Sequence, residues 1–121
     1  MSPQPAGSKP PGELEQQVLM VLAACGDEAS GGTVYDELVA KTRRELSLAA
    51  IYITLDRLRR KGWVATRTQA PEPGRGGKPR KFYSLRHEGA QQIRELREQF
   101  DRLWGGAADH PLLASAKPGR R

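Results

Sequence analysis

Between residues 13 and 104 the apolar positions keep a helical rhythm of threes and fours. It breaks at clusters of Gly, Pro and small polar residues and, once, at two short β-branched and aromatic runs. Leu14, Val18, Val21, Leu22 and Cys25 line one side of a first predicted helix over residues 13–25. Glu13 and Glu15 stand near its positive N-terminal end, and Gly26 and Asp27 close it. After the loop DEASGG, Thr33 with Asp36 three residues on is a relative of the capping box. It predicts a second helix with Val34, Leu38 and Val39 inside and an end near Thr42. A short turn, residues 43–46, leads to a third helix. There Ile51, Leu55 and Leu58 share one face, Ser47 is the expected N-cap and Gly62 marks the stop. Ala50 denies Ser47 the reciprocal half of a capping box. The opposite face carries Ala49, Ile53, Asp56 and Arg60, flanked by Tyr52 and Arg57. Small residues near the helix start would let its backbone approach another surface closely, and a DNA groove is one such surface.

Residues 63–68 (WVATRT) and 81–85 (KFYSL) read as strands. The segment between them, QAPEPGRGGKPR, holds three Pro and three Gly, which forbid regular structure and suit a long hairpin loop. That loop and its edges collect Arg67, Arg75, Lys78, Arg80 and Lys81, with glycines such as Gly77 allowing close backbone approach to a partner. A solvated loop without a partner is the alternative. Helix, turn, helix and then a basic hairpin is the layout of a winged helix-turn-helix, an α+β fold that is mainly α.

In residues 88–104, Ile93, Leu96, Phe100 and Leu103 follow a three, four, three spacing, the seam of a coiled-coil-like pairing, and Trp104 adds a further apolar surface. One small winged domain cannot easily cover this stripe as well as its own core. The expectation is a homodimer whose interface takes in Ile93, Leu96, Phe100, Leu103 and Trp104, with Leu14 and Val18 of the first helix. Folding back onto the first helix is the alternative. The predicted organisation is an N-terminal arm (1–12), a DNA-binding domain (13–86), a dimerisation helix (87–104) and a flexible tail (105–121).

Twenty Lys and Arg against fourteen Asp and Glu give a formal charge of +6 on 121 residues, enough chain for one modest domain. The sequence pI near 9.9 points to a polyanionic partner without choosing among nucleic acid, acidic protein and anionic membrane. The last is disfavoured, because the C-terminal helix is too mixed in charge for a membrane-surface role. Cys25 is the only cysteine, so no intramolecular disulfide forms and a reducing cytoplasm fits. The apolar run 18–25 is far short of the roughly twenty residues that span a bilayer, and MSPQPAGSKPPG lacks the apolar segment of a signal peptide. With two His, no phosphate-binding glycine loop and no metal-ligand spacing, an enzyme, a metal site or a bound cofactor is not expected.

The runs GELEQQVLMVLAACGDEASGG, SLAAIYITLDRLRRKGWVATR and GRGGKPRKFYSLRHEG together resemble the PadR family of bacterial transcriptional regulators. The most specific part is the ordered set Ser47, Tyr52, Leu55, Leu58, Gly62, Gly76, Gly77, Tyr83, Leu85 and Gly89. The chain departs from the family at Ser30-Gly31, where Tyr-Gly is common, and at Arg86, where a Thr cap is common. The resemblance implies a winged-helix domain, a C-terminal dimerisation helix, and repression by binding a two-fold symmetric operator on double-stranded DNA. Ser47, Ala49, Ala50, Tyr52, Ile53 and Arg57 would then meet a major groove while Arg75, Gly77, Lys78, Arg80 and Lys81 clamp the flanking backbone. Some short members sense aromatic compounds in a pore between subunits, and Phe100, with Trp104 a turn later, falls at the corresponding place. A dimer-core role explains these aromatics equally. A winged-helix adaptor that binds protein without DNA sequence specificity is the rival reading.

Overall fold

The structure, a computed structural model, describes residues 10–74 and 76–114. Helix α1 spans Glu13–Cys25 and begins where the Gly12 N–H donates to the Glu15 carboxylate at 2.8 Å. It ends at Gly26, whose φ of 77° is the left-handed turn that a side chain resists. Strand β1 is only Ala29–Ser30, and α2 follows over Gly31–Thr42. The cap of α2 is Ser30, whose Oγ accepts the Thr33 N–H at 3.2 Å, so the helix starts ahead of the expected Thr33 cap. Helix α3 covers Leu48–Arg60, with the Ser47 Oγ accepting the Ala50 N–H at 3.0 Å as expected. Strands β2 (Val64–Gln69) and β3 (Arg80–Leu85) form the hairpin, α4 runs over His87–Ala107, and α5 is the single turn Pro111–Ala114.

The sheet is antiparallel in the order β1-β3-β2. The register pairs Tyr83 with Ala29 on one side and Thr66 on the other, and Phe82 with Ser30 and Arg67. Because side chains alternate along a strand, Tyr83 points inward and Phe82 outward; Tyr83 is buried and Phe82 is not. Helix α1 is central, packing against α2, α3, α4 and β3. Val18, Leu19, Val34, Leu38, Ile51, Leu55 and Leu58 are fully enclosed around it, each worth about 1.5–3 kcal/mol of hydrophobic stabilisation. Val18 therefore corrects one expectation. It has no surface left for a second subunit, because it is spent on the protomer's own core. The Lys61 ammonium ties α3 to α1 by donating to both Glu15 carboxylate oxygens at 2.9 Å, and it sits 4.8 Å from the Trp63 ring centroid.

The two halves of α4 differ. In the first, Ile93 packs on the core and Gly89 is buried so closely that a Cβ there would stand 2.3 Å from the Trp63 carbonyl oxygen. That oxygen also accepts the Arg86 N–H at 3.0 Å, so Gly89 lets the helix sit on the base of the hairpin. Arg86 precedes the helix without any side-chain cap bond. The second half leaves the protomer surface, with Phe100, Leu103 and Trp104 at 54%, 69% and 58% exposure. The helix also continues through Gly105 and Gly106 to Ala107, and α5 adds a further turn, both where a flexible tail was expected. Among the described residues, no helix is long and apolar enough to cross a membrane.

Candidate nucleic-acid interface

The core-facing spacing of α3 leaves its other side open, and what stands there is small, aliphatic or cationic. Ser47, Ala49, Tyr52, Ile53 and Arg57 are exposed, and Ala50 is half-buried. The Ser47 oxygen is already engaged as the cap, which leaves its hydroxyl proton to donate. Tyr52 is only partly covered. Its ring lies over Gly31, where an added Cβ would come 2.3 Å from Cε1, while 42% of the residue remains exposed. The ring thus rests against the start of α2, where the lack of a side chain at Gly31 leaves room for it. The sequence carries no local sign of this, since residues 31 and 52 meet only in three dimensions.

Four cationic residues follow one another along the last turn of α3 except at Leu58, and they are not equivalent. The Asp56 carboxylate accepts from Arg59 through Nε at 3.2 Å and Nη2 at 2.9 Å, and from Arg60 through Nε at 2.8 Å and Nη2. Those bonds, Arg60 first and then Arg59, hold Asp56 below the ordinary carboxylate range. Lys61 is committed to Glu15. Arg57, an exposed cation on the flank of the open face, makes no ion pair among the described residues.

The hairpin presents its charges on two faces. Lys81 pairs with Thr68 on the face shared with Tyr83. Burial pushes the Tyr83 hydroxyl up from its usual value, and the nearby Tyr52 and Asp56 of α3 push it further. On the other face, the Phe82 ring lies between two guanidinium groups, Arg67 at 5.0 Å and Arg80 at 5.3 Å from its centroid. Arg67 is also held by Glu28, which accepts from Nε at 2.8 and 3.1 Å and from Nη2 at 2.8 Å. Arg67 therefore anchors the wing to the β1 region, and its hydrogen bonds hold Glu28 below the usual carboxylate range. Lys78, Arg80 and Lys81 are exposed and free of ion pairs among the described residues, and Gly76 and Gly77 turn the tip with φ of 68° and 100°. Arg75 lies outside the described residues.

Leu48 is a surface residue that the periodicity hides. Its spacing to Ile51 and Leu55 would place it inside, yet it is 43% exposed in the first turn of α3, beside Ser47. Away from this face, Arg97, Phe100, Asp101, Leu103, Trp104 and Ala107 border an open groove of about 360 Å³ on α4. Of the other expected interface residues, Leu14 and Ile93 pack partly on the core and Leu96 is half-buried. Among the described residues no group of His, Cys, Asp or Glu is arranged to hold a metal ion.

Comparison with known proteins agrees with this architecture. The chain is 19% identical to a PadR-like transcriptional regulator from Bacillus cereus, covering 86% of this chain and 93% of that one with a TM-score of 0.64. A PadR family transcriptional regulator from Eggerthella lenta is 26% identical, over 86% of this chain and 88% of the other, at a TM-score of 0.61. F93 from STIV, a winged-helix DNA-binding protein, is 20% identical over 73% of this chain and 87% of its own, at a TM-score of 0.59. No curated protein matches in sequence. The sequence pattern of the transcriptional regulator PadR-like family matches residues 18–95, from the middle of α1 past the wing and into α4. That span holds the whole of α2 and α3 and the hairpin that follows them, and on this ground the chain belongs to the PadR-like family of transcriptional regulators.

Proposed function

We propose that this regulator binds double-stranded DNA as a homodimer and represses transcription from an inverted-repeat operator. The observation that carries the reading is the pairing of an open α3 face, small at Ala49 and cationic at Arg57, with a wing whose Lys78, Arg80 and Lys81 are exposed and unpaired among the described residues. A helix that is narrow at its start can enter a major groove, while cations beside it fix register on the phosphates. In this proposal Ser47, Ala49, Ala50, Tyr52, Ile53 and Arg57 meet base edges and nearby phosphates. Gly77, Lys78, Arg80 and Lys81 hold the flanking backbone, and Arg75 belongs to the same clamp by its place in the sequence. The likeness to F93, which is itself described as DNA-binding, supports the class of partner.

The second half of α4 supplies the proposed subunit contact through Leu96, Phe100, Leu103 and Trp104, joined by Ile93 and Leu14 at its edge. A small aromatic effector would enter at the groove beside Phe100 and Trp104. The unpaired thiol of Cys25 suits work in the reducing cytoplasm.

Selection of bound sequences from a random duplex pool, repeated at raised salt, tests the reading. An inverted repeat with half-sites about one helical turn apart, or a multiple of it, is the expected product. No enrichment at either salt concentration would overturn the proposal in favour of a protein-binding adaptor. Replacing Lys78, Arg80 and Lys81 by Ala should flatten the logarithmic salt dependence by about 0.9 for each phosphate that is no longer neutralised.

A further inference from the structure

The open face of α3 has an aliphatic centre, and a groove of DNA contains one chemical feature that suits it. Ile53 is 55% exposed, more than Leu48 or Tyr52 on the same helix. We propose that Ile53 reads the 5-methyl group of a thymine, so that each operator half-site carries a T·A pair facing the middle of α3. The inference rests on the DNA-binding reading above and names what that site recognises.

Ile53 offers no hydrogen bond. The major-groove edges of guanine and adenine present donors and acceptors, cytosine adds only a small C5–H, and thymine alone offers a methyl group. Placing Ile53 against any of the first three would strip water from a polar edge and return little. Its own geometry is prepared for contact, because branching at Cβ holds χ1 in one rotamer on a helix and leaves little motion to lose on binding. The neighbours leave it accessible. Ala49, one turn earlier, is exposed and carries only a methyl group, so the base edge can come close. The Tyr52 ring lies over Gly31 at the start of α2 rather than over Ile53, which stays 55% exposed.

Charge selects a polyanion over a second copy of the chain as the occupant. Arg57 follows Ile53 by one turn without an ion pair among the described residues, and Lys81, exposed, shares the hairpin face of Tyr83. The one carboxylate on this face, Asp56, is already saturated by Arg59 and Arg60, so it presents no free charge to repel a phosphate.

The test uses the full chain and the duplex recovered by selection, remade with deoxyuridine in place of thymidine at each position in turn. Uracil keeps every hydrogen-bonding atom and removes only the methyl group. One buried methyl corresponds to about fourfold in affinity, hence about fifteenfold when both half-sites are changed. The expected result is a loss of that size at one thymidine per half-site, and Ile53→Ala should no longer distinguish the two duplexes. The melting temperature of Ile53→Ala should match wild type, since the side chain supports no core contact. Deoxyuridine without effect at every position overturns the inference, as does a loss that persists undiminished in Ile53→Ala. Both leave DNA binding intact. If the wild type prefers no duplex at all, the DNA reading itself fails, and this inference with it.

Discussion

In α1, Val18, Leu19 and Leu22 are between 0% and 2% exposed, whereas in the second half of α4 Phe100, Leu103 and Trp104 are more than half open to solvent. Both stretches carry large apolar side chains at helical spacing. The difference lies in the surroundings: α2, α3, β3 and α4 pack around the inner side of α1, whereas the large apolar side chains beyond Leu96 on α4 stay open. Spacing reveals which side of a helix is apolar; only tertiary structure reveals what covers it. Exposed apolar area of this kind, set on a helix anchored at its other end, is the signature of a contact made outside the protomer.

That contrast gives four measurements, in falling order of effect. In the proposed dimer, Phe100→Ala would remove one ring from each side of the interface, about 3–6 kcal/mol in total at 1.5–3 kcal/mol for each buried side chain. Sedimentation equilibrium over a range of concentrations should show the dimer replaced by monomer while the helical circular dichroism is kept. An unchanged mass would mean that the open half of α4 is not the subunit contact. Leu55→Ala acts on the closed side and should cost about 2–5 kcal/mol through the cavity it leaves, lowering the melting temperature at every protein concentration. Gly89→Ala sits where the two regimes meet. Its new Cβ, 2.3 Å from the Trp63 carbonyl oxygen, should lever α4 off the hairpin base at about 1–3 kcal/mol, read as a lower urea midpoint. Gly105→Ala is its counterpart in the open half. No atom lies within 4 Å of the added methyl, so better helix propensity should make that variant neutral or about 0.5–1 kcal/mol more stable.

The smallest effect concerns pH. The carboxyl of Glu28 is held below its ordinary value of 4.5 by Arg67, so its contribution is complete above that value and is lost as pH falls through the lowered one. Melting curves of wild type and Glu28→Gln should therefore differ slightly at neutral pH and converge in acid. A gap that persists at low pH would remove the Arg67 clamp as its cause. The group is exposed, so only a small difference is expected.

Much of this architecture was written in short-range pattern. The bounds of α1, the Ser47 cap, the inward set Ile51, Leu55 and Leu58, and the two strands of the hairpin all follow from spacing or local chemistry, since each depends on neighbours within about one turn. The features that escaped depend on distant partners. Two residues have no period, and β1 exists because Ala29 and Ser30 pair with Tyr83 and Phe82. Thr33 and Asp36 imitate a capping box that the preceding Ser30 pre-empts. The glycine pair at 105–106 reads as a stop by propensity, yet α4 runs through it. Gly31 and Gly89 are required by a ring and a carbonyl far away in sequence. At the candidate site, the exposed residues of α3 were legible from the complement of its core face. The division of its cations into engaged and available depended on Asp56, Glu15 and Glu28, whose choice of partner no spacing rule decides.

Ile93 seats α4 on the core that α1 organises, and the Glu15–Lys61 pair fastens the beginning of α1 to the end of α3. Joined tail to tail through α4, two such protomers would carry their reading helices like the jaws of a caliper locked at one opening. One extra base pair between half-sites turns the far half by about 34° and shifts it by roughly 3.4 Å. In the dimer proposed above, such a gauge would register that error as a misfit, and the length of the spacer would become part of the message as surely as the letters on either side.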